Sequence, residues 1–225
     1  MEVVLDLAVR RGVDLVLIQE PRGEKEKDGT RSHSNLTFIR GEDGVPLKCW
    51  IAVNRAPRCR VTELKELTRA CENHILVVEV ALPGVGEPII IANVYDRHRG
   101  SAASRPAQWA AWGEITQPKC VIIARDMKAH SKLWNPETTR PRNHSFRERL
   151  IQEDALIVWT SEEVTWTGLG ATIHSIIDQT LSSPNIELEW SLLRGEAMGS
   201  DHELITWNVL EQLPPRADTS TETTG

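Results

Sequence analysis

The apolar positions of the chain follow two spacings in turn, the first typical of a helix and the second typical of a strand. Within residues 2–11, four of them recur at the spacing that places side chains on one helical face: Val3, Val4, Leu7 and Ala8. Gly12 follows where a glycine commonly ends a helix. Residues 13–19 are almost all apolar, so we predict a helix that leads into a strand covered on both faces.

Short β-rich segments, separated by glycine, proline and charged residues, make up most of the remaining chain. The predicted strands are 36–40, 47–54, 58–64, 74–82, 88–95, 120–124, 155–159, 176–181, 186–194 and 202–209. We expect 74–82 and 88–95 to form a hairpin around the sequence PGVGEP. Helices are predicted from Ser104 to near Thr116 and from Asn143 through Ile151.

This order of elements predicts an α/β fold. Many short strands with a few helices between them favour two packed mixed β-sheets flanked by helices, a four-layer α/β sandwich. With 225 residues, of which 40% are hydrophobic, the chain has enough apolar material for one such domain, which we place at residues 1–210. Residues 211–225 are rich in Pro, Thr and Glu and are predicted to be a disordered tail or linker.

Charge, cysteine content and hydropathy exclude several classes of protein. The net charge of -6 argues against nucleic-acid binding by charge alone, although residues 97–105 and 125–149 are locally basic. The 4 cysteines include no CxxC pair, so neither a zinc site nor a disulfide framework is indicated. No segment approaches the roughly 20 consecutive apolar residues of a membrane helix, and we expect an intracellular protein with no membrane partner.

Polar residues with catalytic chemistry cluster where the predicted strands end or begin. They are Glu20, Tyr95, Asp126, His130, Asp178, Asp201 and His202. Strand ends hold side chains rigidly around a shared cleft, so the set predicts an active site at one edge of the sheets. Taken singly, each residue has an ordinary explanation, because an acid after a strand is commonly a turn residue and a histidine is commonly a structural hydrogen-bonding group.

The chemistry of these residues fits hydrolysis of a phosphodiester. A carboxylate such as Glu20 is a hard oxygen ligand suited to Mg²⁺, which keeps several waters and bridges to phosphate. His202 can exchange a proton near neutral pH, and Asp178 is the acid that we expect to fix its tautomer. Asp126 and His202 would then position or deprotonate the attacking water.

Six sequence blocks occur in an order that is characteristic of one protein superfamily. They are DLVLIQEP (14–21), ANVYDRH (92–98), ARDMKAHSKLWNP (124–136), TWTG (165–168), SIIDQTL (175–181) and SDHELI (200–205). The set resembles the endonuclease/exonuclease/phosphatase superfamily, and within it the apurinic-endonuclease-like endonuclease domain of LINE-type (non-LTR) retrotransposons of the fungal type. The resemblance covers almost the whole chain and implies a deoxyribonuclease I-like fold.

The resemblance also implies a role for each matched residue. The expected metal residues are Glu20 and Asp201, which would hold Mg²⁺ or alternatively Mn²⁺. The expected catalytic residues are Tyr95 at the scissile phosphate, Asp126 at the attacking water, Asp178 as the acid that orients the histidine, and His202 in acid/base or phosphate contact. The expected substrate-binding residues are Lys128, His130, Thr165 and Ser175.

Retrotransposon endonucleases of this kind nick chromosomal DNA and leave a 3′-hydroxyl that primes reverse transcription of the element's RNA. The resemblance therefore implies a DNA endonuclease whose partners are DNA and a reverse transcriptase domain of the same polyprotein. It also implies action in the nucleus, where chromosomal DNA lies.

Two departures from the family pattern leave other functions open. Family members read GDFN where this chain has Lys128 in place of the asparagine, so an amide that accepts hydrogen bonds is replaced by a donor-only cation. The likeness also starts at the first helix, so we expect the family's first strand to be lacking. Either departure would weaken activity. The alternatives are a catalytically inactive retrotransposon remnant that only binds DNA, and a phosphatase of the same superfamily.

Overall fold

The computed structural model of the protein describes residues 1–21, 33–41, 49–70, 75–84, 86–95, 113–116, 120–126, 132, 156–160, 163–168, 174–196 and 200–212. The helices are α1 (Glu2–Arg10) and α2 (Lys65–Ala70), with a helical turn at residues 113–116. The strands are β1 (Leu15–Gln19), β2 (Leu36–Ile39), β3 (Cys49–Asn54), β4 (Arg60–Glu63), β5 (Ile75–Ala81), β6 (Ile89–Tyr95), β7 (Val121–Asp126), β8 (Ile157–Trp159), β9 (Trp166–Thr167), β10 (His174–Ser175), β11 (Asp178–Ser182), β12 (Ile186–Leu193) and β13 (Leu204–Gln212).

The strands form one large sheet and a second, divided layer. The large sheet has six strands in the order β4-β5-β6-β7-β11-β8. Within it β6 and β7 are parallel, and the other neighbouring strands are antiparallel. The second layer consists of the three-stranded sheet β1-β3-β2 and the β12–β13 hairpin, and β9 and β10 form a separate ribbon. Because β6 and β7 are parallel, their carboxyl ends lie at the same edge of the large sheet.

The two layers of sheet pack face to face around an apolar core. Ile51 of β3, Leu76 of β5 and Ile122 of β7 are buried there, and the hairpin contributes Leu188 of β12. Each such side chain stabilises the fold by about 1.5–3 kcal/mol through its burial. Helix α1 packs on the outer face of the three-stranded sheet, and α2 and the helical turn pack on the outer face of the large sheet. This order confirms the predicted four-layer α/β sandwich with mixed sheets.

Helix α1 presents a different face to the core from the one that the sequence pattern predicted. Leu5 is its buried residue and packs against the three-stranded sheet, whereas Val3 is 47% exposed. Met1 and Val9 join Leu5 in the same cluster, so the packed row follows the four-residue spacing of a helix. The predicted end of the helix is confirmed, because Gly12 adopts a φ of 66° that favours glycine.

The predicted strands are present in the described residues, with ends that differ by a few positions. The prediction that β1 is covered on both faces is confirmed, because Leu15 and Leu17 pack in the core between the sheets and Val16 and Ile18 pack on the α1 side. Its residues are half-buried, and among the described strands it pairs on one side only. The sequence did not predict α2, β9 or β10, which are too short to show a period. The predicted helix at 143–151 lies outside the described residues, and β13 continues to Gln212, past the predicted domain boundary at 210. None of the described helices is both long and apolar enough to cross a membrane.

Candidate active site

Glu20, the exposed residue that follows β1, has an unusual backbone conformation, and its side chain contacts Tyr95. In a regular strand its side chain would lie on the same face as that of Ile18, which packs on the α1 side. A φ of 46° breaks this alternation. Tyr95, at the end of β6, then donates its hydroxyl hydrogen bond to the Glu20 carboxylate. Left-handed backbone at a residue other than glycine costs about 1–3 kcal/mol and persists where its surroundings hold it, commonly at functional sites.

A buried amide and a half-buried one hold the strand that precedes Glu20. Asn93 of β6 is fully buried, and its Nδ2 donates to the carbonyl oxygens of Ile18 at 3.0 Å and Trp50 at 2.9 Å. Gln19 donates from Nε2 to Oδ1 of Asn93 at 3.1 Å and to the carbonyl oxygen of Ala124 at 3.3 Å. These bonds tie the large sheet to β1 and β3 immediately before Glu20. Neither residue is among the predicted site residues, although an asparagine inside the apolar run IIIANVY is a signal that could have indicated one of them.

Three predicted site residues form a row across the edge of the large sheet. Tyr95 of β6 is in register with Asp126 of β7, and Asp126 is in register with Asp178 of β11. Residues that pair across strands project from the same face with their β-carbons about 4.5–5.5 Å apart. Asp126 therefore lies between the tyrosine and the second aspartate, and it is 2% exposed.

His202 joins this row through Asp178. Its Nδ1 is 2.8 Å from Oδ2 of Asp178, and the two side chains are 28% and 13% exposed. Burial lowers the pKa of the His202 imidazole, but the hydrogen bond and charge of Asp178, together with the charges of Asp126 and Asp201, outweigh burial and raise that pKa above 6.5. With Nδ1 engaged by the carboxylate, Nε2 is the nitrogen left for proton exchange.

The pKa of His202 should depend on Asp178. In Asp178→Asn we expect it to fall, because the amide carries no charge and burial still disfavours the imidazolium. An NMR titration of the imidazole signals of both proteins, without added metal, measures the change. The other histidine signals serve as internal controls and should not move. Titration of His202 at the same pH in both proteins would contradict the assignment.

Six of the predicted residues thus belong to one connected group, which we call the strand-end cluster: Glu20, Tyr95, Asp126, Asp178, Asp201 and His202. Among the described residues, no three His, Cys, Asp or Glu side chains converge closely enough to form an all-protein metal site. Mg²⁺ is usually held by one or two carboxylates and keeps several waters, so carboxylate oxygens such as those of Glu20 and Asp201 suit this ion.

The family model described as endonuclease-reverse transcriptase matches residues 89–206, which is more than half of the chain. The chain belongs to this endonuclease-reverse transcriptase family. The matched region holds every member of the strand-end cluster except Glu20. No curated protein sequence matches the chain.

Solved structures share the fold of this chain over nearly its whole length. The endonuclease domain of TRAS1, a telomere-specific non-LTR retrotransposon, matches with a TM-score of 0.72 at 20% identity, covering 94% of this chain and 92% of that one. TDP2 of D. rerio, complexed with single strand DNA product, matches at 0.58 and 14% identity, covering 92% and 90%. An endonuclease/exonuclease/phosphatase protein from Bacteroides vulgatus matches at 0.58 and 14% identity, covering 92% and 88%. The family model confirms the predicted superfamily, and these structures confirm the deoxyribonuclease I-like fold that it implies.

Two of the four predicted substrate-binding residues are buried in the described structure. Thr165 is 0% exposed and Ser175 is 1% exposed. Oγ1 of Thr165 accepts the backbone N–H groups of Ile177 at 3.0 Å and Asp178 at 3.1 Å, which holds the strand that carries the histidine's acid. Lys128 and His130 lie outside the described residues.

Proposed function

We propose that this chain is a metal-dependent phosphodiesterase that nicks DNA and leaves a 3′-hydroxyl for reverse transcription of a retrotransposon. The observation that carries the proposal is the strand-end cluster, in which carboxylates, a tyrosine and a histidine from five separate stretches of sequence meet at one edge of the sandwich. Acidic, phenolic and imidazole side chains lie together near the carboxyl ends of two parallel strands. This combination is better suited to the hydrolysis of a charged ester than to a structural role.

The side chains of the cluster divide the chemistry among them. His202, held by Asp178 through Nδ1, exchanges a proton with the attacking water or with the phosphate through Nε2. Asp126, adjacent to both Tyr95 and Asp178 in the sheet, orients the attacking water. Tyr95 keeps Glu20 in place through its hydroxyl and lies where a phosphate oxygen would approach that carboxylate.

Mg²⁺ is the cofactor that the donor chemistry favours, with Mn²⁺ as the alternative. Glu20 and Asp201 would hold it. When bound, it would neutralise the charge that builds on the phosphate and leaving oxygens.

DNA is the substrate that the family membership favours. The family's name joins an endonuclease to a reverse transcriptase, and the TRAS1 domain is an endonuclease of a retrotransposon. The locally basic segments 97–105 and 125–149 supply cations for phosphates in a chain of net charge -6. We therefore infer that its partners are DNA, in the nucleus, and a reverse transcriptase domain of the same polyprotein.

A second function remains open because of Lys128. A lysine in place of the family's asparagine donates to phosphate but accepts no hydrogen bond from water, so it favours DNA binding over turnover. A catalytically inactive remnant that only binds DNA is therefore the main alternative. A phosphatase of the same superfamily is the other.

Nicking of supercoiled plasmid DNA tests the proposal. We expect conversion to the open circle with Mg²⁺ or Mn²⁺ and none with EDTA, because the carboxylates need a cation to neutralise the phosphate. The nicked product should be extended by a DNA polymerase without phosphatase treatment, which reports a 3′-hydroxyl. A phosphoinositide hydrolysis assay under the same conditions is the matched control for substrate class.

Other outcomes point to the alternatives. If the native protein, Glu20→Ala and His202→Ala all bind DNA equally and nick it equally poorly, the DNA-binding function replaces the endonuclease. Faster release of phosphate from a phosphoinositide than cleavage of DNA would support the phosphatase. A blocked 3′ end on the nicked product would contradict the priming role.

A further inference from the structure

Trp166 of β9 touches two members of the strand-end cluster. Its indole Nε1 donates a hydrogen bond to Oδ2 of Asp201 at 3.0 Å. Its ring also lies beside that of His202, with the ring centroids 6.5 Å apart and the planes tilted by 56°. The sequence analysis noted the TWTG block that contains this tryptophan and gave the tryptophan itself no role.

The backbone fixes this arrangement independently of the side chains. Trp166 and His202 form an isolated antiparallel bridge. Hydrogen bonds flank it on both sides, from the Thr167 N–H to the Asp201 carbonyl oxygen at 2.8 Å and from the Glu203 N–H to the Thr165 carbonyl oxygen at 2.8 Å. Residues paired in an antiparallel bridge project from the same face, so the bridge places the indole beside the imidazole of His202.

We propose that Trp166 is a positioning residue that holds the Asp201 carboxylate in the orientation needed to bind a divalent cation. This inference rests on the proposed function. Asp201 is exposed, and an exposed aspartate ordinarily samples several side-chain rotamers. An indole N–H can donate and cannot accept, so it engages one carboxylate oxygen and leaves the other directed away from it. In metal sites, side chains that hydrogen-bond to a metal ligand without contacting the metal orient that ligand.

The variant Trp166→Phe separates this role from simple packing, because phenylalanine keeps an aromatic ring beside His202 and lacks the N–H. We expect the Mg²⁺ concentration for half-maximal nicking to rise about 10-fold, with the rate largely recovered at saturating Mg²⁺. A readout without turnover is the Mg²⁺-induced rise in Tm of the DNA-free protein, which should need the same higher concentration of Mg²⁺.

Trp159→Phe is the matched control. Trp159 also donates its indole N–H within the fold, to Oγ of Ser182 at 2.8 Å, and in the described structure it makes no hydrogen bond to the strand-end cluster. Its loss should leave the Mg²⁺ dependence of nicking and of Tm unchanged. The indole N–H signal of Trp166, assigned in ¹⁵N-labelled protein as the one lost in Trp166→Phe, should shift in Asp201→Asn.

Unchanged Mg²⁺ midpoints in Trp166→Phe, in nicking and in Tm alike, would overturn the inference. A loss of rate that saturating Mg²⁺ does not recover would also overturn it, since that result marks a packing role. If the native protein neither nicks DNA nor responds to Mg²⁺, the proposed function fails and cation positioning fails with it. In that case an indole signal that still shifts in Asp201→Asn would show that the contact exists and serves the fold alone.

Discussion

Glu20→Gln is expected to lower the rate of Mg²⁺-dependent nicking by about 10³-fold or more. A divalent cation contributes several kcal/mol to stabilising the phosphoryl transition state, and about 4 kcal/mol corresponds to this factor. Glutamine keeps the length of the side chain and an oxygen that can accept the hydrogen bond of Tyr95, so the fold should be preserved. The charge that holds the cation is what is lost. Initial rates of plasmid nicking at saturating Mg²⁺ measure the effect.

Two further variants make this result specific. Glu20→Gly removes the carboxylate and also relieves the left-handed backbone, because glycine adopts a φ of 46° without strain. It should be as inactive as Glu20→Gln and at least as stable in thermal unfolding. Glu187→Gln, at an exposed position of β12, should nick at the native rate. A Glu20→Gln protein that keeps more than about a tenth of the native rate would contradict the assignment of Glu20 to the cation.

The strand-end cluster was predictable because its residues carry their signals in the sequence itself. Glu20 and Tyr95 come at the end of apolar runs, and the aspartates and the histidine occur in ordered blocks. Parallel pairing of β6 with β7 then brings the ends of those runs to one edge. A sheet can arrange its strand ends in only a few ways. A catalytic residue at a strand end can therefore be located in the fold from the sequence.

Residues that act through tertiary contacts were not predictable in the same way. The family resemblance implied a substrate-binding role for Thr165, whereas its hydroxyl is buried in the fold and accepts the backbone N–H groups of Ile177 and Asp178. The sequence pattern gives no indication of the role of Trp166. Tryptophan counts as an apolar residue in that pattern, and only the structure shows which group its indole N–H contacts. The prediction of the buried face of α1 was wrong for a related reason. The helical spacing of apolar residues allows more than one buried face, and contact with the three-stranded sheet determines that Leu5 is buried.

Asn93→Leu should destabilise the fold by about 2–4 kcal/mol. A buried polar group left without its hydrogen-bond partner costs about 1–3 kcal/mol, and this substitution removes the partner of several polar groups. Leucine has nearly the same size and removes the donor to the Ile18 and Trp50 carbonyl oxygens together with the acceptor for Gln19. Part of the cost is offset, because leucine suits the apolar core. The free energy of unfolding from urea titrations measures the change.

Asn208→Leu is the matched control for Asn93→Leu. Its amide also donates one hydrogen bond, to Glu189 at 2.9 Å, but the contact is exposed, so its loss should change the free energy of unfolding by less than about 0.5 kcal/mol. At temperatures where Asn93→Leu is still folded, its nicking rate should also fall. The hydrogen bonds of Asn93 hold the strand immediately before Glu20, and the left-handed backbone of Glu20 depends on them. If Asn93→Leu were as stable as Asn208→Leu, the two sheets would not depend on this amide. If Asn93→Leu were as stable as the native protein but did not nick DNA, Asn93 would act by positioning Glu20 and would not stabilise the fold.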